Sequence, residues 1–268
     1  MKNSHLTIVT IATDRYIHFW VELLESALKF IDLEISVEWI LFTNMSEKLT
    51  SKQLESRIKV TIVEQESLVW PYPTLLRYGL ISENAENFNG QIVMHLDADM
   101  LFVAPLGEND LGFGKTAPFI KLIPHPGYFR PNGAARLTLY LRHPKLVLRD
   151  MRTIFRYGSL GTWEVRKTSL AYVPRGKREV YVCGGTWLGT RNEILDMCDN
   201  LSKRVDEDLS HEMIAVFHDE SHLNWYASNY EVEIGSPSMC FDPSYPQLLE
   251  LAPIIEAVNK SKNTTWVR

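Results

Sequence analysis

The feature that most constrains the fold is an alternation of β-rich runs with segments of helical period. The run LTIVTIAT is followed by apolar residues at helical spacing, among them Ile17, Trp20 and Leu24. The same pattern continues with SVEWILFT, KVTIVEQ, a helical TLLRYGLISENAENF and then the strand-like QIVMHLDADMLFV. Strands that alternate with helices predict an α/β fold with a mostly parallel central sheet and helices on both faces.

The second part of the chain does not continue the regular alternation of strands and helices. Beyond residue 104 come a Pro/Gly-rich IPHPGYFRPNG, a helical excursion over about 134–156, the strand-like REVYVCGGTWLG and a long helix from about Arg191. We place a soft boundary near residue 115 within a single domain over 1–268. It divides a nucleotide-binding half, about 1–115, from a second half, about 116–268.

Composition excludes several classes of partner. The 268 residues are 45% hydrophobic and 23% charged, which suits an ordinary globular protein with a sizeable core. The net charge of -5 is spread over alternating signs without a basic run. This gives no electrostatic footprint for nucleic acid or an anionic membrane, so no nucleic-acid partner is expected.

Apolar run lengths and cysteine spacing predict a chain without a membrane span or signal peptide, in a reducing compartment such as the cytoplasm. No segment reaches the roughly 20 apolar residues of a membrane-spanning helix, and MKNSHLTIVTIATDRY lacks the cleavage region of a signal peptide. Cys183, Cys198 and Cys240 are too widely spaced for a CxxC site or a disulfide framework. Buried or idle thiols in a reducing compartment are therefore expected, with neither signal peptide nor membrane anchor.

Two acids end the central strand-like run. Asp97 and Asp99 point to one face if the extended geometry persists, at the edge where parallel sheets bind ligands. Two close carboxylates repel unless a cation lies between them, and a divalent ion that holds substrate phosphates fits this pattern. A strand-end turn with solvated acids is the alternative, and spacing alone leaves both open.

The second polar cluster is AVFHDESHLNWY, residues 215–226. His218 and His222 lie four apart and would share a helix face, but Asp219 and Glu220 do not match the zinc motif H-E-x-x-H. A metal-dependent hydrolase that uses His218, Asp219 and His222 remains one interpretation. The other is a helix start, where first-turn carboxylates are stabilised by the helix dipole.

Six motifs together resemble the family-six glycosyltransferases, the group that contains the blood-group A and B transferases and the α-1,3-galactosyltransferases. They occur in family order as LDADM, HPGYF, RKTSLAYVP, YVCGGTWLG, FHDESHLNWY and KNTTWVR. The resemblance implies a GT-A fold, the Rossmann-like fold of nucleotide-diphosphosugar transferases. It also implies retaining transfer of galactose or N-acetylgalactosamine from a UDP-sugar to a sugar hydroxyl in α-1,3 linkage.

The resemblance assigns a role to each matching residue. Asp97 and Asp99 match a D-x-D that binds Mn²⁺, with Mg²⁺ or Co²⁺ as alternatives, and Glu220 matches the carboxylate against the anomeric carbon. Glu220 acts there either as a nucleophile or by stabilising an oxocarbenium-like state. The positions matched to the donor are Ile11, Ala12, Tyr16, Trp70, Arg77, Cys183, Gly184, Gly185, Asp219 and, in a tail that closes over the phosphates, Lys262 and Arg268. His125 and Asp242 match residues that hold the acceptor, an oligosaccharide or glycolipid.

The resemblance also bears on donor choice and source. Cys183, Gly184 and Gly185 align with donor-selecting residues, where glycine at the third position leaves room for an N-acetyl group and favours UDP-N-acetylgalactosamine. Cys183 is unusual at its position. The chain is similar to the short bacterial and viral members of the family. It retains the D-x-D motif, which binds a metal ion, and it is therefore expected to need metal. A segment over about 130–163, longer than in vertebrate members, is expected to contribute to the acceptor site. A non-catalytic sugar-binding protein is the remaining alternative.

Overall fold

The computed structural model describes residues 4–54 and 56–258, and it confirms the predicted alternation of strands and helices. The strands are β1 His5–Ile11, β2 Ser36–Thr43, β3 Lys59–Glu64, β4 Ile92–Leu96, β5 Met100–Phe102, β6 Ile120–Pro124, β7 Val182–Thr190, β8 Glu233–Ile234 and β9 Ile255–Ala257. The helices are α1 Tyr16–Phe30, α2 Ser51–Leu54, α3 Tyr72–Leu75, α4 Arg77–Glu83, α5 Glu108–Leu111, α6 Gly133–Arg142, α7 Pro144–Tyr157, α8 Arg191–Ser210 and α9 His218–Asn229.

Seven strands form the central sheet in the order β3-β2-β1-β4-β7-β6-β8. The pairs β3/β2, β2/β1, β1/β4 and β6/β8 are parallel, whereas β7 is antiparallel to both β4 and β6. The sheet is therefore mostly parallel, as predicted. Because it contains strands from both sides of residue 115, the two predicted halves share one sheet.

Helices cover both faces of this sheet, as the alternation predicts. Successive side chains of a strand point to opposite faces, and the core divides accordingly. Trp39 packs with α1 in one hydrophobic cluster, whereas its neighbour Ile40 packs with α4 and α8 in another. Trp187 and Leu188 of β7 are separated in the same way.

The reversed strand β7 fixes the end of β4. Its register places Leu96 opposite Thr186, and the amide of Asp97 then donates to the carbonyl of Gly185 at 2.9 Å. Asp97 leaves the strand at this point, and Ala98 and Asp99 form a turn before β5. Extended geometry therefore does not persist to Asp99, in contrast to the condition on which the strand interpretation rests.

The segment beyond β6 forms the predicted helical excursion, as the two helices α6 and α7 joined at His143. A buried ion pair anchors it, because Arg130 donates from Nε and Nη2 to both carboxylate oxygens of Asp150, at 2.6 and 2.5 Å. The hydroxyl of Tyr140 on α6 donates to the same carboxylate at 2.9 Å. One carboxylate therefore joins both helices to the chain before them.

The three cysteines are buried and free, as expected. Among residues 4–54 and 56–258, no helix combines the length and the apolar character that a membrane crossing requires.

The Arg130–Asp150 pair yields a stability prediction. Asp150→Asn leaves Arg130 buried without a counter-charge, so we expect the free energy of unfolding to fall by about 3–5 kcal/mol in urea titrations. The control is Asp199→Asn, since Asp199 is half exposed and pairs with Lys203 one helical turn away. We expect that change to cost about 0.3–0.5 kcal/mol. Equal losses in the two variants would contradict a structural role for the buried pair.

Candidate active site

A cavity of about 640 Å³ opens at the carboxyl ends of β1 and β4, the edge at which open α/β sheets bind ligands. Its lining joins the loop after β1, the segment that leads into α4, and the turn after β4. Six residues predicted from the resemblance line it: Ile11, Tyr16, Trp70, Arg77, Asp97 and Asp99. Trp70 is 66% exposed and meets the ring of His218 edge-on at 5.2 Å, so it is not a core residue.

Arg77 is the centre of the polar network behind this cavity. The helix predicted over TLLRYGLISENAENF is interrupted at Leu76, and Arg77 begins α4 with its side chain almost fully buried. Its guanidinium lies 3.1 Å from Asp97 and 3.3 Å from Asp219. It also donates to the carbonyl of Gly184 at 2.8 Å. One cation therefore joins α4, the end of β4, β7 and α9.

His95 is a site residue that the sequence reasoning missed. Its Nε2 lies 2.7 Å from Arg77 Nη1, and its ring stacks on Trp187 at 4.7 Å. Because a guanidinium only donates, Nε2 must accept this bond and the imidazole is neutral. Burial and the charge of Arg77 accordingly lower the pKa of His95 to about 4. The sequence signal was its position two residues before Asp97, on the same face of β4.

Asp219 and Glu220 lie in the first turn of α9, as the helix-start interpretation predicts. The amide of Gly184 donates to Glu220 Oε2 at 3.0 Å. Burial raises the pKa of Asp219 to about 7 in spite of Arg77. Burial likewise raises the pKa of Glu220 to about 7, although the Gly184 amide and the Tyr181 hydroxyl favour its ionised form. Two carboxyls with raised pKa values thus lie beside one buried cation.

The two glycines of β7 permit this close approach. A Cβ built on Gly184 would lie 2.8 Å from Asp219 Oδ2, too close for any side chain. A Cβ built on Gly185 would lie 3.1 Å from Asp97 Oδ2. Gly184 is therefore required by the α9 carboxylates, and Gly185 keeps the space beside Asp97 open.

An aromatic cluster lies on the other side of Glu220. The ring of His125 is 5.8 Å from Tyr181 and 6.5 Å from Tyr245. Burial lowers the pKa of His125 to about 4, opposed by the charge of the nearby Asp242. Because Tyr181 also contacts Glu220, it connects the predicted acceptor residues to the predicted catalytic one. The sequence reasoning missed Tyr181, although it lies two residues before Cys183.

The two histidines of α9 do not form a common site. His218 contacts Trp70, whereas His222 is fully buried with its Nε2 3.5 Å from Asp208 Oδ2. Within the described ranges, 4–54 and 56–258, no three His, Cys, Asp or Glu side chains are arranged to hold a metal ion. The geometry therefore does not favour the hydrolase interpretation.

Of four other predicted residues, two are buried and two lie outside the described residues. Ala12 and Cys183 are buried behind the cavity, at 0% and 4% exposure. Lys262 and Arg268 lie outside the described residues, so their assignment to a closing tail stays a prediction.

The donor set around Asp97 and Asp99 fits an oxygen-preferring divalent ion. Both residues line the cavity, and the side chain of Asp97 is 37% exposed to it. Two carboxylates hold such an ion when substrate phosphates and water complete its shell. This mode needs no third protein ligand, so it agrees with the absence of a three-ligand cluster among the described residues.

The comparisons with known proteins all find similarity to glycosyltransferases. A family model described as Glycosyltransferase family 6 matches residues 156–268. Histo-blood group ABO system transferase 1 of Rattus norvegicus is 25% identical over 249 residues, which cover 91% of this chain and 61% of that protein. Transferase 2 of the same system and organism is 24% identical over 249 residues, with shares of 91% and 64%. Globoside alpha-1,3-N-acetylgalactosaminyltransferase 1 of Gallus gallus is 23% identical over 271 residues, with shares of 99% and 70%. The chain thus spans less than two thirds of the length of the two rat relatives.

The raised pKa of Glu220 has a measurable consequence for stability. A carboxyl with a folded pKa of about 7 and an ordinary value of 4.5 binds more protons in the folded state. Ionisation of this carboxyl therefore lowers the free energy of unfolding, and it does so increasingly as the pH rises from 4.5 to about 7. Glu220→Gln removes this effect, so we expect the variant to gain about 1–2 kcal/mol over the wild type between pH 6 and pH 8.

The measurement is urea unfolding of both proteins in EDTA, so that no divalent ion binds. Taking the difference between variant and wild type cancels the histidines, whose titration is common to both. Glu66→Gln serves as the control, because Glu66 is exposed on the loop after β3. A pH-independent difference for Glu220→Gln would contradict the raised pKa.

Proposed function

We propose that this chain is a member of glycosyltransferase family 6, and that it is a retaining glycosyltransferase that uses a UDP-sugar donor. The sugar moved is N-acetylgalactosamine, or galactose, and the product is an α-1,3 linkage to a galactose-containing oligosaccharide or glycolipid. The observation that carries the proposal is the Arg77 network. It joins the D-x-D residue Asp97, which lines the cavity, to Asp219 in the first turn of α9.

The cavity supports the donor part of the proposal. About 640 Å³ is within the range of pockets that enclose a nucleotide-sized ligand. Tyr16 offers an aromatic face for uracil beside Ile11, and Asp97 and Asp99 lie where a diphosphate would enter. Mn²⁺ held by these two carboxylates would neutralise charge on the leaving UDP.

The surroundings of Glu220 support its proposed role in the chemical step. The amide of Gly184 fixes one carboxylate oxygen, and Asp97, on the donor side, is tied through Arg77 to the neighbouring Asp219. When ionised, Glu220 either attacks the anomeric carbon or stabilises an oxocarbenium-like state while the acceptor adds from the same face as the leaving group. In both routes the bond between the anomeric carbon and UDP breaks and the acceptor hydroxyl loses its proton, which the released UDP phosphate would take up.

The aromatic cluster supports the acceptor part of the proposal. Tyr181 contacts Glu220, and His125 with Tyr245 extends the cluster away from the cavity. Aromatic rings next to polar groups suit the mixed apolar and hydroxyl faces of a galactose unit. The neutral imidazole of His125 has one ring nitrogen that accepts from the Gly127 amide at 3.0 Å, which leaves Nε2–H to donate to a sugar hydroxyl.

A panel of UDP-sugars with and without Mn²⁺, read by UDP release, tests donor and metal together. We expect UDP-N-acetylgalactosamine to be turned over only with Mn²⁺, and Asp97→Asn to lower the rate by at least about 100-fold because a charged ligand is lost. Asp199→Asn is the matched control on a distant helix. Full activity in EDTA would contradict the role of metal, and unchanged activity in Glu220→Gln would contradict catalysis by that carboxyl.

Donor choice is tested at Gly185. A methyl group in Gly185→Ala would lie 3.1 Å from Asp97 Oδ2, in the space proposed for the N-acetyl group. We expect kcat/KM for UDP-N-acetylgalactosamine to fall about 10- to 200-fold relative to that for UDP-galactose. Gly176→Ala is the control, since a Cβ there meets no atom within 4 Å. An equal loss for both donors would mean that the substitution disturbs Asp97 and does not select the sugar.

A further inference from the structure

Helix α7 has an inverted distribution of polar and apolar residues. Its only acid, Asp150, is buried with Leu146 and Tyr157 on the face that packs against the protein. Leu148, Met151 and Phe155 follow one another at spacings of three and four residues, so they form a stripe on the opposite face. A surface helix of a water-soluble protein normally turns its apolar stripe inward.

This apolar stripe, formed by Leu148, Met151 and Phe155, is open to solvent. Phe155 is 88% exposed, Met151 is 62% exposed and Leu148 is 56% exposed. Leu141 of the adjoining α6 is 75% exposed as well. Exposed apolar residues that occur singly need no explanation, but a stripe of them along one helix face indicates an interaction surface.

Cations border the apolar stripe. Lys145, Arg152 and Arg156 are exposed on α7 next to the stripe, again at helical spacing. Over residues 133–157 the sequence holds six basic residues and one acid, namely Arg136, Arg142, Lys145, Arg149, Arg152 and Arg156 against Asp150. The region is locally basic although the chain carries a net charge of -5. The prediction of no anionic-membrane footprint averaged over the whole chain and overlooked this segment.

We propose that α6 and α7 dock on an anionic lipid bilayer, with the apolar stripe at the level of the headgroups and the flanking cations on the lipid phosphates. An apolar stripe bordered by Lys and Arg is the composition of helices that lie in the membrane interface. Each such cation adds attraction to an anionic leaflet.

Other occupants fit the charges less well. In a symmetric dimer the same patch meets itself, so the basic residues of the two copies would face each other and repel. The C-terminal segment of this chain carries Lys260, Lys262 and Arg268 without an acid, so it too would be repelled. Charge complementarity therefore favours an anionic surface.

The docking surface is rigidly connected to the candidate active site. Arg149 of α7 and Arg130 both donate to the carbonyl of Gly127, at 2.5 and 3.1 Å. The amide of Gly127 in turn donates to His125 at 3.0 Å. A bilayer bound to α7 would therefore lie next to the turn that carries the proposed acceptor residue.

The test is sedimentation of the whole chain with vesicles made of equal parts phosphatidylcholine and phosphatidylglycerol, and with vesicles of phosphatidylcholine alone. We expect binding to the anionic vesicles and much weaker binding to the neutral ones. The double variant Met151→Ser with Phe155→Ser should reduce the partition coefficient at least about ten-fold, because two exposed side chains no longer enter the interface. Lys145→Glu with Arg152→Glu should reduce it at least about 25-fold.

The matched control is Leu33→Ser with Lys29→Glu, an exposed apolar residue and an exposed cation at the end of α1. It should bind as the wild type does. UDP release from the UDP-sugar without any acceptor should stay unchanged in every variant, because none of the substituted side chains lines the donor cavity, and this separates the proposal from the proposed function. Failure of the wild type to bind anionic vesicles would overturn it, as would equal loss in the control. So would a dimer in sedimentation velocity that Phe155→Ser dissociates, since the patch would then be a self-interface.

Discussion

The buried guanidinium of Arg77 is the interaction on which the site depends. Burial opposes its charge, but Asp219 and Asp97 raise its pKa above the ordinary value, so it stays ionised. A planar group with five donors can serve two carboxylates and a carbonyl at once, which a lysine cannot do. Asp97 and Asp219 come from elements far apart in sequence, and this one residue sets the distance between them.

Around this cation, negative charge is in excess. Asp97, Asp219 and Glu220 all interact with the charge of Arg77, and Asp99 lines the same cavity. The pKa values of Asp219 and Glu220 are both raised to about 7. A divalent ion at Asp97 and Asp99 would offset this excess and favour the ionised forms of Asp219 and Glu220. The same excess explains why two glycines stand on β7, since a side chain at either position would push carboxylates that already crowd each other.

Sequence periodicity predicted the fold well, because the buried residues of α1 are all apolar and β2 is buried along nearly its whole length. Six residues that the resemblance assigns to the donor or the metal line the cavity, and Arg77 joins Asp97 to Asp219, the neighbour of Glu220. Their roles stay predictions. The resemblance did not indicate His95 or Tyr181, whose importance arises from contacts between distant segments. Periodicity also could not tell which face of α7 packs against the rest of the protein. It shows that Leu148, Met151 and Phe155 share a face, but only packing shows that the face with Asp150 is the one turned inward.

The carbonyl of Gly127 accepts hydrogen bonds from both Arg130 and Arg149, so it links α7 to the turn next to His125. Membrane binding and acceptor binding, which are separate events for an enzyme in solution, would then be coupled. An enzyme held at a bilayer by α7 would meet lipid-linked glycans by diffusion in a plane, and Arg149 would keep the turn after His125 at a fixed height above that plane. The length of glycan between the lipid and the reacting galactose would then act as a ruler. Acceptors of one length would be reached and shorter ones missed, without any contact that recognises the rest of the chain.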